Sequence, residues 1–121
     1  MNPKARTPFA AAALMVAIAI PLFAHMHVEK TAPAIDSTVT MIPKMVQVWF
    51  NQAPDMKVSK MTLTGPSGPV ELEAPKAMGN SLGAVIKGTL VDGTYTVEWQ
   101  SAGDDGHLQK AEFKFTLKRS M

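Results

Sequence analysis

The sequence predicts an all-β protein, a small Greek-key β-barrel or immunoglobulin-like sandwich of about seven strands. Short runs that alternate apolar and polar side chains recur along the chain, and clusters of proline and glycine separate them. After residue 24 no stretch has the periodicity and end caps of a helix. With 121 residues and no cysteine, the chain is expected to form one domain held together by its hydrophobic core.

The first 24 residues predict a secretory signal peptide. Lys4 and Arg6 supply a positively charged start, residues 9–23 are uncharged and apolar, and Ala24 suits the position before a cleavage site. The apolar run is too short and too rich in alanine to favour a membrane span. An uncleaved N-terminal anchor is the alternative, because Leu22 stands where a smaller residue is commoner before a cleavage site.

Cleavage after Ala24 divides the chain into a signal peptide at residues 1–24 and a domain at residues 25–121. The domain keeps ten basic residues, the twelve of the full sequence less Lys4 and Arg6, against ten acidic ones. Its net charge is therefore zero, and no basic surface for nucleic acid is expected.

In the first half of the domain, alternation and β-branched residues mark the strands. The expected strands are residues 27–30, 46–50, 58–64 and a short edge strand at 70–72. A turn rich in proline and glycine occupies residues 65–69.

In the second half, a strand is expected at residues 83–90 after a loop at residues 78–81. Asp92 and Gly93 then predict a β-hairpin turn. The cleanest alternation lies at residues 94–100, where Tyr95, Val97 and Trp99 share one face, and a last strand is expected at residues 112–117.

All three histidines lie outside the apolar strand faces. His25 and His27 open the predicted mature chain, and His107 lies in the polar loop of residues 103–107 between the last two strands. Exposed polar loops on a rigid scaffold are common locations for binding residues. A solvated turn without metal is the plainer interpretation of this loop alone.

Cleavage would turn His25 into a chelating group. Its α-amine, with a reference pKa of about 8, and its ring Nδ1 can bind one metal together. The carboxylate of Asp105 and the imidazole of His107 would complete a roughly planar set of three nitrogens and one oxygen, here called the brace mode. Cu(II) prefers such a tetragonal set, and Zn(II), which favours a tetrahedron, is the next candidate.

A second mode of binding Cu(II) is open to the same terminus. His25-Met26-His27 fits a wrapped-terminus mode, in which the amine, the backbone nitrogens of Met26 and His27 and the His27 ring surround the ion. This mode needs neither Asp105 nor His107. It requires the first strand to give up backbone hydrogen bonds, which is costly.

These residues resemble the CopC family of periplasmic copper-resistance proteins. The resemblance runs from His25 to Leu117 and includes His-Met-His-Val at residues 25–28 and Thr-Ala-Pro-Ala at residues 31–34. It continues at residues 46–50, 90–99 and 101–107 and ends in an apolar strand.

The resemblance implies a small Greek-key β-barrel that binds Cu(II) with an N-terminal histidine and an Asp-x-His pair. Those roles fall on His25, Asp105 and His107, with His27 as an extra candidate ligand. The inserted Gly103-Asp104 lengthens the loop and raises Asp104 as the alternative to Asp105. Asp105 is favoured because its two-residue offset to His107 is the one that the family has.

The resemblance also implies one Cu(II) per chain and a periplasmic carrier, buffer or chaperone rather than an enzyme. The expected partners are copper itself and an inner-membrane copper transporter or another periplasmic copper protein, and a monomer is expected. The alternatives are a copper enzyme for oxidative polysaccharide cleavage and a structural sandwich without metal.

Some relatives carry a methionine-rich loop for Cu(I), and this chain departs from them. The corresponding residues 65–77 contain no methionine. Met41 and Met45 flank Pro43 and are the alternative candidates for a Cu(I) site.

Overall fold

The structure, a computed structural model, describes residues 25–119 as a sandwich of two β-sheets. The predicted signal peptide lies outside the described residues. The strands in this part of the chain are β1 (Val28–Ala32), β2 (Thr38–Val39), β3 (Met45–Phe50), β4 (Lys60–Gly65), β5 (Gly68–Val70), β6 (Lys76–Met78), β7 (Ser81–Val85), β8 (Gly93–Ala102) and β9 (Leu108–Leu117). No helix long and apolar enough to cross a membrane occurs between residues 25 and 119.

One sheet has the order β1-β3-β7-β6, and the other has the order β2-β9-β8-β4-β5. All pairs are antiparallel except the short parallel pair of β2 and β9. Within residues 25–119 the chain changes sheets five times, between β1 and β2, β2 and β3, β3 and β4, β5 and β6, and β7 and β8. Such crossings are typical of Greek-key sandwiches, and the predicted all-β class is confirmed.

The core lies between the sheets, where alternate side chains of β3, β8 and β9 point inward. The larger apolar side chains that these strands bury are Val46, Val48, Phe50, Tyr95, Val97, Trp99, Phe113, Phe115 and Leu117. Phe50 of one sheet meets Trp99 of the other edge to face, with ring centroids 5.1 Å apart. This contact fixes the spacing of the two sheets at the end where β3 and β8 finish.

The structure has nine strands within residues 25–119, where the sequence predicts about seven. The additional β2 and β6 are edge strands of two and three residues with mostly exposed side chains, so neither shows alternating burial. β7 covers Ser81–Val85 rather than residues 83–90, and β5 begins at Gly68 rather than at residue 70. Edge strands this short are identified by the strand with which they pair, and their own sequence does not indicate that partner.

The predicted hairpin at Asp92 and Gly93 is wrong. β7 and β8 belong to different sheets, so the segment between them crosses the sandwich. Leu90 is buried in the core, and the hydroxyl of Tyr95 accepts a hydrogen bond from Val91 N–H (2.8 Å) and donates one to Val91 C=O (2.6 Å). Asp-Gly predicts a tight local turn, but β7 pairs with β3 and β6, and β8 pairs with β4 and β9, so β7 and β8 do not pair with each other.

We expect Tyr95→Phe to lower the free energy of unfolding by about 1–3 kcal/mol, because it leaves the N–H and C=O of Val91 without their partner. The ring and its stacking on Phe115 remain. Urea denaturation at fixed pH measures the change. The matched control is Thr94→Val, which removes an exposed hydroxyl bonded to Thr116 and should alter stability by less than about 0.5 kcal/mol. Equal effects of the two substitutions would contradict the role of Tyr95.

Candidate metal site at the end of the sandwich

One end of the sandwich brings together the predicted ligands from opposite ends of the domain. Nδ1 of His25 lies 3.1 Å from Oδ2 of Asp105, although the two residues are 80 positions apart in sequence. The His25 side chain is 68% exposed and that of Asp105 is 29% exposed. The contact is therefore open to solvent, and the histidine side is more exposed than the carboxylate side.

The loop between β8 and β9 holds Asp105 by its own backbone. Oδ1 of Asp105 accepts a hydrogen bond from His107 N–H at 2.9 Å, and Gly106 N–H donates to Gly103 C=O at 3.0 Å. Gly106 has φ = 71°, a conformation that glycine adopts without strain. One carboxylate oxygen thus closes the turn, and the other faces His25.

His107 lies beside the same contact. Its ring centroid is 5.9 Å from that of His25, with the ring planes inclined by 56°. Two imidazoles on opposite sides of one ion, each with a metal–nitrogen bond of about 2.0 Å, have centroids about 6 Å apart. Nitrogen and oxygen donors at neighbouring positions of such an ion are separated by about 2.8 Å. The two measured separations are close to these values.

The three side chains are neighbours, but they do not form a finished metal site. Within residues 25–119 no three histidine or acidic side chains stand close enough to hold a metal ion without moving. His25 and His107 are both exposed, so rotation of their side chains is unhindered by the core. Closing the set requires the His25–Asp105 hydrogen bond to be exchanged for bonds to the ion.

Met26 anchors the terminal segment between its two exposed histidines. Its side chain is 1% exposed and belongs to the hydrophobic core, and its carbonyl accepts a hydrogen bond from Gln109 Nε2 at 2.8 Å. A Cβ on Gly103 would lie 3.0 Å from Cβ of Met26 and would collide with the side chain of Gln52. Glycine at position 103 therefore lets the loop approach the terminal segment closely.

Asn51 and Gln52, which directly follow β3, contact the two halves of the site. His27 N–H donates to Asn51 Oδ1 at 2.7 Å, and Asn51 N–H donates to His27 C=O at 3.1 Å. Asn51 Nδ2 also reaches His25 C=O, at 3.4 Å. Gln52 Oε1 accepts a hydrogen bond from Asp104 N–H at 2.7 Å. Adjacent residues thus hold the terminal segment and the loop.

The sequence reasoning missed Met26, Asn51, Gln52 and Gln109 as residues that shape this end of the molecule. The available signals were weak: an apolar residue between two histidines, and a polar Asn-Gln pair at the end of an apolar strand. Their roles depend on contacts across the fold, which no local pattern records.

The other candidates take different positions. The ring of His25 contacts the carboxylate of Asp105, while the backbone of Asp104 is bonded to Gln52. His27 is exposed, as His25 is, on the side opposite the buried Met26.

Of the two methionines raised for Cu(I), Met45 lies in β3 and Met41 lies in the loop between β2 and β3. A Cβ on Gly83 would meet Cε of both Met45 and Met78, so these two side chains lie together over that glycine. Met41 is 79% exposed. A Cu(I) site at Met41 and Met45 stays an untested alternative.

The hydrogen bonds of Asp105 affect its titration. The backbone N–H of His107, and to a smaller extent the ring of His25, hold the pKa of the Asp105 carboxyl below its usual value, against the opposing effect of partial burial. The carboxylate consequently stays ionised throughout the pH range in which an imidazole nitrogen can bind a metal.

A comparison with protein-family models matches residues 28–118 to the CopC domain. That match covers most of the chain. The protein belongs to the CopC family. The resemblance stated from the sequence is confirmed.

Relatives of this CopC-family chain are similar over nearly their whole length. Copper resistance protein C of Escherichia coli is 30% identical over 115 residues, which cover 87% of this chain and 90% of the relative. Protein YobA of Escherichia coli K12 is 28% identical, over 91% of this chain and 93% of the relative.

Solved structures agree with the fold. The crystal structure of PcoC, a methionine-rich copper resistance protein from Escherichia coli, matches with a TM-score of 0.69 and 30% identity, covering 78% of this chain and all of that one. The structure of CopC from Methylosinus trichosporium OB3b matches with a TM-score of 0.71 at 22% identity, over 80% of this chain and 97% of that one.

We expect the carboxyl of Asp105 to titrate below the reference value of about 3.9 in the metal-free chain. A carboxyl with a depressed folded-state pKa stabilises the fold above its unfolded value, and that contribution is lost as pH falls through the folded value. Carbon-detected NMR across an acid titration measures the midpoint. In His25→Ala the midpoint should stay depressed, because the His107 amide is the main cause. A midpoint at or above the reference value would contradict this hydrogen bond.

Proposed function

We propose that this chain is a periplasmic copper-binding protein that carries or buffers Cu(II). After cleavage behind Ala24, the α-amine and ring of His25, the carboxylate of Asp105 and the imidazole of His107 hold one Cu(II) per chain. His27 is a candidate additional ligand. The observation that carries the proposal is the 3.1 Å contact of His25 Nδ1 with Asp105 Oδ2, with the ring of His107 5.9 Å from that of His25.

The relatives support copper as the cargo. Two of them are named copper resistance proteins, and each shares 30% identity with this chain. The motifs that carry the family resemblance include the histidine that would open the mature chain and the Asp-x-His of the last loop. The family also supports the periplasm as the location, in agreement with the predicted signal peptide at residues 1–24.

The donor set favours Cu(II) over other divalent ions. Three nitrogens and one carboxylate oxygen in a roughly planar arrangement suit a tetragonal ion, and Cu(II) leads the affinity order of first-row metals at such sites. Zn(II) prefers a tetrahedral set, so its binding would require His107 or Asp105 to leave that plane. The ionised carboxylate of Asp105 adds a negative charge beside the cation.

An exposed site suits a protein that receives and releases its metal. The side chain of His25 is 68% exposed, and His107 is exposed as well, so a second protein can reach both histidines. A buried site would hinder such ligand exchange. We infer that this chain acts as a monomer that exchanges copper with an inner-membrane copper transporter or with another periplasmic copper protein.

An oxidative enzyme acting on polysaccharide fits less well. Such a reaction needs a flat aromatic surface for the sugar chain, and Tyr95 and Trp99 point into the core with 1% and 5% exposure. Trp49 is half-buried, with Nζ of Lys30 lying 4.5 Å from the ring centroid. Asp105 would also occupy a position that an oxygen-activating copper ion needs open.

We expect the mature chain to bind one equivalent of Cu(II), in preference to Zn(II), with a tetragonal EPR spectrum that shows nitrogen couplings. Because Asp105 and His107 are ligands in this proposal, replacing either by alanine should weaken binding strongly, and His27→Ala should weaken it mildly. Asp104→Ala is the matched control for Asp105→Ala. Competitive titration followed by EPR measures these effects. No bound copper at equimolar supply would instead support a structural sandwich without metal.

We expect a single glycine left ahead of His25 to reduce Cu(II) affinity by several orders of magnitude. The extension removes the α-amine from His25 and leaves both imidazoles and the carboxylate in place. Mass spectrometry identifies the first residue, competitive titration measures the affinity, and thermal unfolding checks that the extended chain keeps its fold. Equal affinity of extended and native chains would show that the amine is not a ligand.

A further inference from the structure

The terminal segment offers Cu(II) two competing arrangements. In the brace mode the ion binds the amine and ring of His25 with Asp105 and His107. In the wrapped-terminus mode it binds the amine, the backbone nitrogens of Met26 and His27, and the His27 ring. Both modes use the α-amine of His25, so an ion bound in one mode prevents binding in the other. Something in the fold must decide between them.

Asn51 holds the backbone groups that the wrapped-terminus mode would need. The backbone nitrogen of His27 donates its hydrogen to Asn51 Oδ1 at 2.7 Å, whereas in that mode this nitrogen must lose its hydrogen and bind copper. The carbonyl of His27 accepts a hydrogen bond from Asn51 N–H, and Asn51 Nδ2 reaches the carbonyl of His25. The peptide units on both sides of Met26 are thereby kept in an extended conformation.

The anchoring of Met26 acts in the same direction. Wrapping the terminus around an ion turns the peptide units of residues 25–27 into one plane around it. That rotation would displace the buried side chain of Met26 and the hydrogen bond from Gln109 to its carbonyl. Gln52 meanwhile holds the loop at Asp104 N–H, which keeps Asp105 within reach of His25.

We propose that Asn51 is the residue that selects the brace mode over the wrapped-terminus mode. Asn51 is a positioning residue. Its amide binds the backbone of the terminal segment, whereas the copper ligands are His25, Asp105 and His107. The inference rests on the proposed function, since it concerns the arrangement of ligands around the same ion. Without the Asn51 amide, the nitrogen of His27 is released and His27 replaces the loop as the source of the last imidazole.

The test uses the exported chain, with its N-terminus at His25 verified by mass spectrometry. Cu(II) affinity and EPR spectra are compared for four proteins: the native chain, Asn51→Ala, His107→Ala and the double variant. In the native background His107→Ala should weaken Cu(II) binding by at least about a hundredfold. Loss of an outer-shell partner already costs about 10–100-fold in metal affinity, and loss of a ligand should cost more. In the Asn51→Ala background the same change should alter affinity by less than about threefold.

The EPR spectrum should change in parallel. Asn51→Ala should show the couplings of four nitrogens in place of three nitrogens and one oxygen. Adding His27→Ala to Asn51→Ala should restore dependence on His107. Asn51→Asp, which keeps an acceptor for His27 N–H, should bind as the native protein does. The matched control is Gln47→Ala in β3, the strand that precedes Asn51. It removes a half-buried amide that donates a hydrogen bond to Ser81, and it should leave the native spectrum.

The outcomes distinguish a failure of the role of Asn51 from a failure of the proposed function. If the native protein depends on His107 and Asn51→Ala keeps both that dependence and the native spectrum, the role of Asn51 is overturned and the proposed function stands. If the native protein binds Cu(II) independently of His107, the brace mode itself is wrong. A spectral change shared by Gln47→Ala would mean that general loosening of β3, rather than the bonds of Asn51, is responsible, and would also overturn the inference.

Discussion

The candidate metal site depends on the burial of Met26. The predicted cleavage after Ala24 would make this segment a chain terminus. A terminus is ordinarily the most mobile part of a domain, and ordering it costs conformational entropy. Burying a methionine side chain contributes about 1.5–3 kcal/mol, which offsets much of that cost for the few residues involved. Because successive side chains of an extended segment point in opposite directions, the buried Met26 leaves both His25 and His27 exposed at the end of the sandwich.

Packing between the sheets determines where the other half of the site lies. Phe50 and Trp99 meet across the core. Phe50 directly precedes Asn51, and Trp99 lies a few residues before the β8–β9 loop. A hydrogen bond from Asp55 N–H to Ala102 C=O continues this connection on the loop side. Asn51 and Gln52 therefore stand at a fixed distance from both the terminal segment and the loop that they contact.

The chemistry of the proposed site is linked to export. In the precursor the nitrogen of His25 belongs to a peptide bond with Ala24, and such a nitrogen is a poor ligand beside a free amine. Cleavage would create the chelating terminus only after the chain has left the cytoplasm. The fold supplies the remaining groups in advance, since Asp105 is held by its own loop and already contacts His25.

The sequence by itself determined the all-β class, the alternation of β3, β8 and β9, and the candidate ligands His25, Asp105 and His107. These follow from burial within single strands and from residue chemistry, both of which are local. Tertiary structure decided the edge strands β2 and β6, the crossing at Asp92–Gly93 and the meeting of His25 with Asp105. β6 pairs with the adjacent β7, and its exposed side chains show no alternation of burial. The other three features depend on strand pairing or sheet packing between residues far apart in sequence, and alternation within one strand carries no record of its distant partner.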